Sequence, residues 1–341
     1  MNLAIIGANG NVGTELSLLL HKEKNVRVYP IVRNILGKAF LHAVGLPCRV
    51  ADIAAESDAQ TSLSDIDVAI LAAYVWPDFS LSATHNKRLN KQLILNAVRF
   101  TKPGATLIYF SSLRAFSRSI DPETPFIKPL YDYEKKSLEH FFYRICRRFK
   151  KKGYVFRLGH VFGKHQPLTR KIKELVGNKN IIALQTSPRT VANVLHTVTL
   201  TEAILLAASA QFPEKTYTLV NQPQWTWEDV FRHYAHSSLE ILWKEKNTRS
   251  QKSRFFVSFF SRFLQKHYAR LRFLLPESLD RRIQDTYRIQ KMRGEIAQLA
   301  ADKKPVFLEA FRYKPAPGPF LPGLKDTKEL LKRKDISDGI F

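Results

Sequence analysis

Through Val220 the apolar residues fall into short continuous runs separated by stretches of helical period. Leu3-Ala4-Ile5-Ile6 is unbroken and ends on Gly7, as expected of a strand buried on both faces of a parallel sheet. Val12 to His21 follows with Leu16, Leu19 and Leu20 on one helical face. Val26 to Val32, Asp67 to Ala73 and Thr106 to Phe110 are further predicted strands. Between the last two, Asn86 to Phe100 has helical period through Leu89, Leu93 and Val98. Tyr131 to Arg148 reads as a long basic amphipathic helix and precedes the strand Tyr154 to Leu158. A helix over Val194 to Ala208 then leads to the strand Thr216 to Val220. Repeated βα units of this kind predict an α/β fold, a doubly wound parallel sheet.

The chemistry begins where the first strand turns into the first helix. Gly7-Ala8-Asn9-Gly10-Asn11-Val12-Gly13 spaces three glycines G-x-x-G-x-x-G, which allows a tight turn, close approach of backbone to a pyrophosphate, and tight helix-on-strand packing. The second strand ends Val32-Arg33-Asn34, where an acid would hold a ribose 2′-hydroxyl. An arginine suits a 2′-phosphate, so NADP(H) is favoured over NAD(H). Tyr131 and Lys135 are four residues apart on one helix face, so a phenol and an ammonium can meet over one cofactor. The cation favours phenolate and brings the tyrosine toward general acid/base duty. Ser111-Ser112 ends the strand that begins at Thr106, and such sheets place their sites at strand carboxyl ends.

Together these residues resemble the extended short-chain dehydrogenase/reductase family, of the NAD(P)-dependent epimerase/dehydratase type. Gly7, Gly10 and Gly13 match its glycine motif, and Val50-Ala51-Asp52-Ile53 is similar to the segment whose Asp contacts adenine. Asp67 to Ala73 resembles its D-x-V-x-H-x-A-A strand, with Leu71 in place of histidine. Asn86 stands where its structural asparagine opens the next helix. Ser111 to Phe116 resembles S-S-x-x-V-Y, and Tyr131, Lys135 and Glu139 fit Y-x-x-x-K-x-x-x-E. Arg157 to Gly163 resembles L-R-x-x-N-V-Y-G with His160 at the asparagine. Thr216 to Asp229 is similar to a late strand and turn, and Gly323 to Thr327 matches a closing G-L-x-x-T.

The resemblance implies a Rossmann-type sheet formed by residues 1–163 with 193–222. A smaller, mainly helical substrate lobe would comprise 164–192 with 223–341. It implies catalysis by Ser112, Tyr131 and Lys135, with proton exchange at a sugar hydroxyl during hydride transfer. Cofactor contacts would come from Gly7, Asn9, Gly10, Asn11, Val12, Gly13, Arg33, Asp52, Ile53, Ala72, Ala73, Tyr131 and Lys135. Arg114, His160 and Arg189 are the substrate candidates. Leu113 and Arg114 follow the serine where dehydratases of this type carry an acid, so dehydration is disfavoured and epimerisation or keto-reduction remains. His160, Thr190 and His196 depart where the family meets its substrate, which puts a UDP-sugar in doubt. The expected substrate is a nucleotide- or lipid-linked sugar bearing phosphate or diphosphate, in surface polysaccharide or glycolipid assembly. The alternative is a non-catalytic NADP-sensing protein, or a membrane- or nucleic-acid-associated binding protein on the same fold, and a homodimer is allowed.

Composition adds one further expectation. The 341 residues carry 54 Lys+Arg against 30 Asp+Glu, a formal +24, which favours a polyanionic partner. Nine of the cations lie between Lys244 and Arg272, opposed by Glu245 alone. There, Phe256, Phe259, Phe260 and Phe263 form one stripe, so 244–275 reads either as a helix lying on an anionic membrane or as a packed amphipathic helix. No zinc-finger, homeodomain or RNA-binding motif supports nucleic acid. Neither a secretory leader nor a transmembrane run is visible, so a cytoplasmic protein is expected, at most peripheral at the inner face of a membrane. Cys48 and Cys146 are too few for a disulfide scaffold, and the histidines show no metal-binding spacing. Trp225 and Trp227 are read as packing a helix start capped by Thr226.

Overall fold

In the computed structural model, residues 1–76, 82–116, 127–177, 180–184, 186–235, 239–243, 272–283, 285, 289 and 316–331 are described. β1 (Asn2–Ile6), β2 (Arg27–Val32), β3 (Arg49–Val50), β4 (Val68–Leu71), β5 (Thr106–Ser112), β6 (Lys152–Leu158) and β10 (Thr216–Leu219) form one sheet in the order β10-β6-β5-β4-β1-β2-β3. Every ladder in it is parallel. The order reverses at β1, whose neighbours are β2 and β4, and such a switch point opens a crevice at the strand carboxyl ends.

The continuous apolar runs are explained by burial on both faces. Leu3 and Ile5 of β1 join one core with Leu16 and Leu20 of α1 (Asn11–His21) and Leu200 and Ile204 of α7 (Thr197–Ala208). Ala4 and Ile6 join the other, with Ile94 and Ala97 of α4 (Ala83–Phe100) and Leu138 and Phe142 of α5 (Ile127–Arg148). Between β2 and β4 lie a 3-10 turn at Ile35–Lys38, α2 (Ala39–Ala43) and α3 (Glu56–Leu63), which the hydrophobic period had not marked.

α4 begins at Ala83 rather than at Asn86, and two other helix starts differ from the sequence expectation. Val194–His196 is a strand, β9, parallel to β7 (His160–Phe162), and the helix starts only at Thr197. The His196 ring caps it by accepting from the Val198 N–H, and Ala192 and Val194 are drawn into a third core. Pairing with β7 overrides a helical pattern that continued into α7. Second, α5 begins at Ile127, one turn before Tyr131, with Pro129 in its first turn, where a missing N–H costs nothing.

The third core unites Phe162, Ile172, Ile182, Leu184, Trp225, Trp227 and Phe231, under α6 (Pro167–Gly177), α8 (Trp227–Tyr234) and the pair β8 (Ile181–Leu184) and β11 (Glu240–Trp243). Trp225 and Trp227 are buried there, and Thr226 and Asp229 form a capping box at the start of α8. The glutamate of α1, Glu15, ties this region to the sheet. Its carboxylate accepts from Thr197 Oγ1 at 2.8 Å, Gln166 Nε2 at 2.8 Å and the Lys164 N–H at 2.9 Å.

The chain returns to the sheet twice more. Thr218 of β10 donates its N–H to Pro319 O and its hydroxyl to Pro317 O. Thr327, last of the G-L-x-x-T match, is fully buried and shares a 2.6 Å hydrogen bond with Thr199 of α7. Of the basic segment, residues 244–271 lie outside the described residues. Arg272, at its end, is 2% exposed and paired with Asp280, whose other oxygen accepts from the Ala83 N–H of α4. Phe273 packs on Tyr133 of α5. Among the described residues no helix is long and apolar enough to cross a membrane, and no cluster of side chains could hold a metal ion.

Candidate active site

The glycine turn is built around contacts that leave no space for side chains. Gly7 has φ +90°, and a Cβ there would lie 2.7 Å from Ala73 N. One on Gly13 would collide with Gly7 O. Gly7 and Ala8 both donate to Ile31 O, which fastens the turn to β2. Gly10 caps α1 without any side-chain hydrogen bond, so Asn11, Val12 and Gly13 offer first-turn N–H groups at the positive end of the helix. Beside the turn is a cavity of about 450 Å³ lined by Asn9, Asn11, Thr14, Leu36, Phe40 and His165. Ala72 and Ala73 close the far side, both donating to Ile6 O. A cradle this bare of side chains, at the switch point, fits a dinucleotide. Ile53 is buried, whereas Asp52 and Arg33 are exposed. Asp52 Oδ1 accepts from the Ala54 N–H.

Near the carboxyl ends of β4 and β5 the structure places Tyr131 and Lys135 among residues that sequence reasoning passed over, and Ser112 is the last residue of β5. Lys135 is buried and donates to Phe110 O at 2.9 Å. Its ammonium lies 4.4 Å from the Tyr74 ring centre, 5.0 Å from Tyr109 and 5.9 Å from Tyr131. Burial pushes it down to about 8, against the pull of Glu134 and Glu139. The serine pair divides by strand alternation. Ser111 Oγ is buried and donates to Glu139, while Ser112 is half-buried at the strand end. Glu139 also takes two hydrogen bonds from Arg157 of β6, which fastens α5 to the sheet.

Glu134, between Tyr131 and Lys135, is 1% exposed. Its two oxygens accept from Tyr74 Oη at 2.9 Å and Asn90 Nδ2 at 3.0 Å. Burial holds its carboxyl above the usual range, opposed by these bonds and by Lys135 and Lys87. Burial and the Glu134 charge push the Tyr74 phenol upward, so it stays protonated. Asn90 also clamps Val75, accepting from its N–H and donating to its carbonyl. The next residue, Trp76, stacks on Tyr131 with ring centres 4.9 Å apart and planes 5° apart, while Tyr74 meets the same phenol edge-on. An aromatic pair, Tyr74 and Trp76, directly after a strand that ends at the switch point was the available signal. Nothing in a polar residue of an amphipathic helix announces that Glu134 is buried.

The remaining candidates are less closely grouped. Asn86 is fully buried on the face of α4 that carries Asn90, and its amide has no hydrogen-bond partner among the described residues. Such a group calls for a water or a ligand. His160 is half-buried in β7, its ring 6.3 Å from Trp227. Arg189 is exposed, and the side chain of Arg114 falls outside the described residues. Cys146 is packing: on the buried side of α5, its thiol is pushed up to about 12 by burial.

Comparison with known proteins agrees with the fold. The chain is similar in fold to the UDP-glucuronic acid 4-epimerase from Bacillus cereus solved with NAD, at 19% identity and TM-score 0.53, over 72% of this chain and 88% of that one. It is likewise similar to the UDP-glucose 4-epimerase from Thermus thermophilus in complex with NAD, at 16% identity and TM-score 0.51, over 73% and 88%. A third is the UDP-N-acetylglucosamine 4-epimerase from Bacillus cereus, at 15% identity and TM-score 0.53, over 76% and 90%. No curated protein sequence matches. The family model for NAD dependent epimerase/dehydratase proteins matches residues 3–210, a span that holds the glycine turn, Ser112, Tyr131 and Lys135. With the switch-point sheet and the bare glycine cradle, that match makes the chain a member of the NAD dependent epimerase/dehydratase family.

Proposed function

We propose that this protein is a nicotinamide-dependent epimerase of a nucleotide-linked sugar, with Tyr131 as the acid/base, Lys135 as its cation and Ser112 as the hydrogen-bonding partner of the reacting oxygen. The observation that carries the reading is Lys135, buried beneath the Tyr131 ring, with its pKa lowered to about 8, so that it still carries charge near neutrality. A bound nicotinamide would accept a hydride from the sugar carbon and return it to the opposite face.

The chain supplies everything else. The first turn of α1 binds the pyrophosphate through N–H groups, and Gly7 and Gly13 let it approach. Tyr131 removes the proton from the sugar hydroxyl as the carbon is oxidised and gives it back on reduction. Lys135 makes that exchange easier by favouring the phenolate. Ser112 orients the oxygen that gains and loses the proton.

Residues 1–163 with 193–222 are read as the cofactor domain, and the rest as the substrate lobe. Arg33 alone leans toward NADP(H). It is exposed at the end of β2, and the similar structures solved with a dinucleotide hold NAD, so NAD is the cofactor proposed. Similar structures hold UDP-glucuronic acid or UDP-glucose, which supports a sugar carried on a diphosphate. The test is to denature the purified protein, assay the released nucleotide, and incubate the holoenzyme with UDP-glucose, UDP-glucuronic acid and UDP-N-acetylglucosamine. Retained NAD and appearance of a 4-epimer are expected, and Tyr131→Phe should abolish the epimer while keeping the NAD. Binding of neither NAD nor NADP would overturn the reading, and consumption of NADPH with a keto-sugar would replace the epimerase by a reductase.

A further inference from the structure

We propose that Trp76 is the aromatic wall of the sugar subsite, on which the pyranose ring of the substrate packs while Tyr131 works on its hydroxyl. This rests on the acid/base role of Tyr131 given above. The indole is 62% exposed beyond the end of β4, on the side of the sheet where the strand carboxyl ends form a ligand crevice, and such crevices are lined by aromatic side chains with a few polar groups. Trp76 is also held in place. Val75 before it is clamped on both its N–H and its carbonyl by Asn90, Asn90 is anchored on Glu134, and the Tyr74 ring abuts the indole edge-on at 5.4 Å. A wall fixed before the ligand arrives loses little entropy on binding.

The occupant follows from the partner of the stack. Tyr131 must reach the hydroxyl of the carbon that is oxidised. The ring beside the Trp76–Tyr131 stack, with centres 4.9 Å apart, is therefore the sugar ring itself. The nucleobase lies a diphosphate away. A pyranose presents a face of axial C–H groups, which is apolar and slightly positive and matches the negative face of an indole. The hydroxyls at its rim remain for Ser112 and for water.

Trp76 provides its own probe. Of the four tryptophans, Trp225 and Trp227 are buried and Trp243 is half-buried, so emission that responds to ligand at the strand ends comes from Trp76. The NAD-loaded protein is titrated with UDP-glucose and UDP-glucuronic acid, and with UDP alone. Saturable quenching or a blue shift by the sugar nucleotides, much smaller with UDP, is expected, and Trp76→Phe should remove the signal while keeping affinity. Trp76→Ala should weaken sugar-nucleotide affinity about tenfold and leave UDP affinity in place, with the rise in KM exceeding any fall in kcat. Equal responses to UDP and to the sugar nucleotides, or an unchanged affinity in Trp76→Ala, overturns the proposal. The two readings fail separately. Discrimination of sugar by emission without any epimer formed removes the reaction and keeps the wall, whereas epimer formed with an unchanged KM in Trp76→Ala removes the wall and keeps the reaction.

Discussion

Replacing Glu134 by Gln should move the alkaline limb of the pH profile downward. The proposed mechanism needs Lys135 charged beside Tyr131. Its ammonium is pushed down to about 8 by burial, so activity is present below that pH and is lost as pH rises through it. Glu134 opposes the effect of burial, since its negative charge favours the ammonium. The Tyr74 ring separates them, with Lys135 Nζ 4.4 Å from the ring centre and Glu134 Oε2 2.9 Å from its hydroxyl. For unit charges roughly a phenol ring apart, on the order of 7 Å, an effective dielectric of about 20 gives about 2 kcal/mol, or roughly 1.5 pH units. Glutamine keeps the shape and an acceptor for Tyr74 while removing the charge. The assay is kcat against pH for the sugar nucleotide that turns over, in wild type and Glu134→Gln, with folding followed by circular dichroism. A limb that stays in place or moves upward in a folded variant refutes the coupling, and with it the view that Glu134 tunes the lysine.

Other consequences concern folding and cofactor binding. Gly13→Ala places a methyl against Gly7 O, a backbone atom that cannot step aside, so a loss of about 1–3 kcal/mol in chemical denaturation and a loss of NAD affinity by titration are expected together. Asp280→Ala leaves the buried guanidinium of Arg272 without its carboxylate and removes the acceptor of the Ala83 N–H, for a loss of about 3–5 kcal/mol by urea denaturation. Asn86→Leu removes an amide that has no partner among the described residues, so the denaturation midpoint should hold or rise. A clear drop would show that the amide is satisfied within the fold.

The parts of this fold that could be read in the sequence are those whose burial leaves a period. β1, β4 and β5 are buried on both faces and read as apolar runs, and the glycine turn is visible because glycine is the only residue that its contacts admit. Tyr131 and Lys135 could be paired because helical geometry puts i and i+4 together. What escaped depends on contacts between distant segments. Val194 and Leu195 look helical until β7 pairs with them. Arg272 counts as one more cation in a basic run until Asp280 pairs with it out of solvent. Glu134 and Asn90 are separated by 44 positions, and only the packing of α4 against α5 makes them partners.

The anchoring of α5 explains how a single helix can hold a reacting group steady. Three of its residues near the site are tied to neighbouring elements: Glu134 to α4 and the chain after β4, Lys135 to the end of β5, and Glu139 to both β5 and β6. These ties cross the helix on several sides, so its rotation and translation are both constrained, and Tyr131 inherits that precision without needing to supply any of it. Catalytic groups are most effective when their geometry is set by residues that do no chemistry. It follows that the costs separate. Loss of Glu139 leaves Arg157 half-buried without its carboxylate and should damage the fold, whereas loss of the Tyr131 hydroxyl leaves every one of those anchors in place and should be felt in turnover.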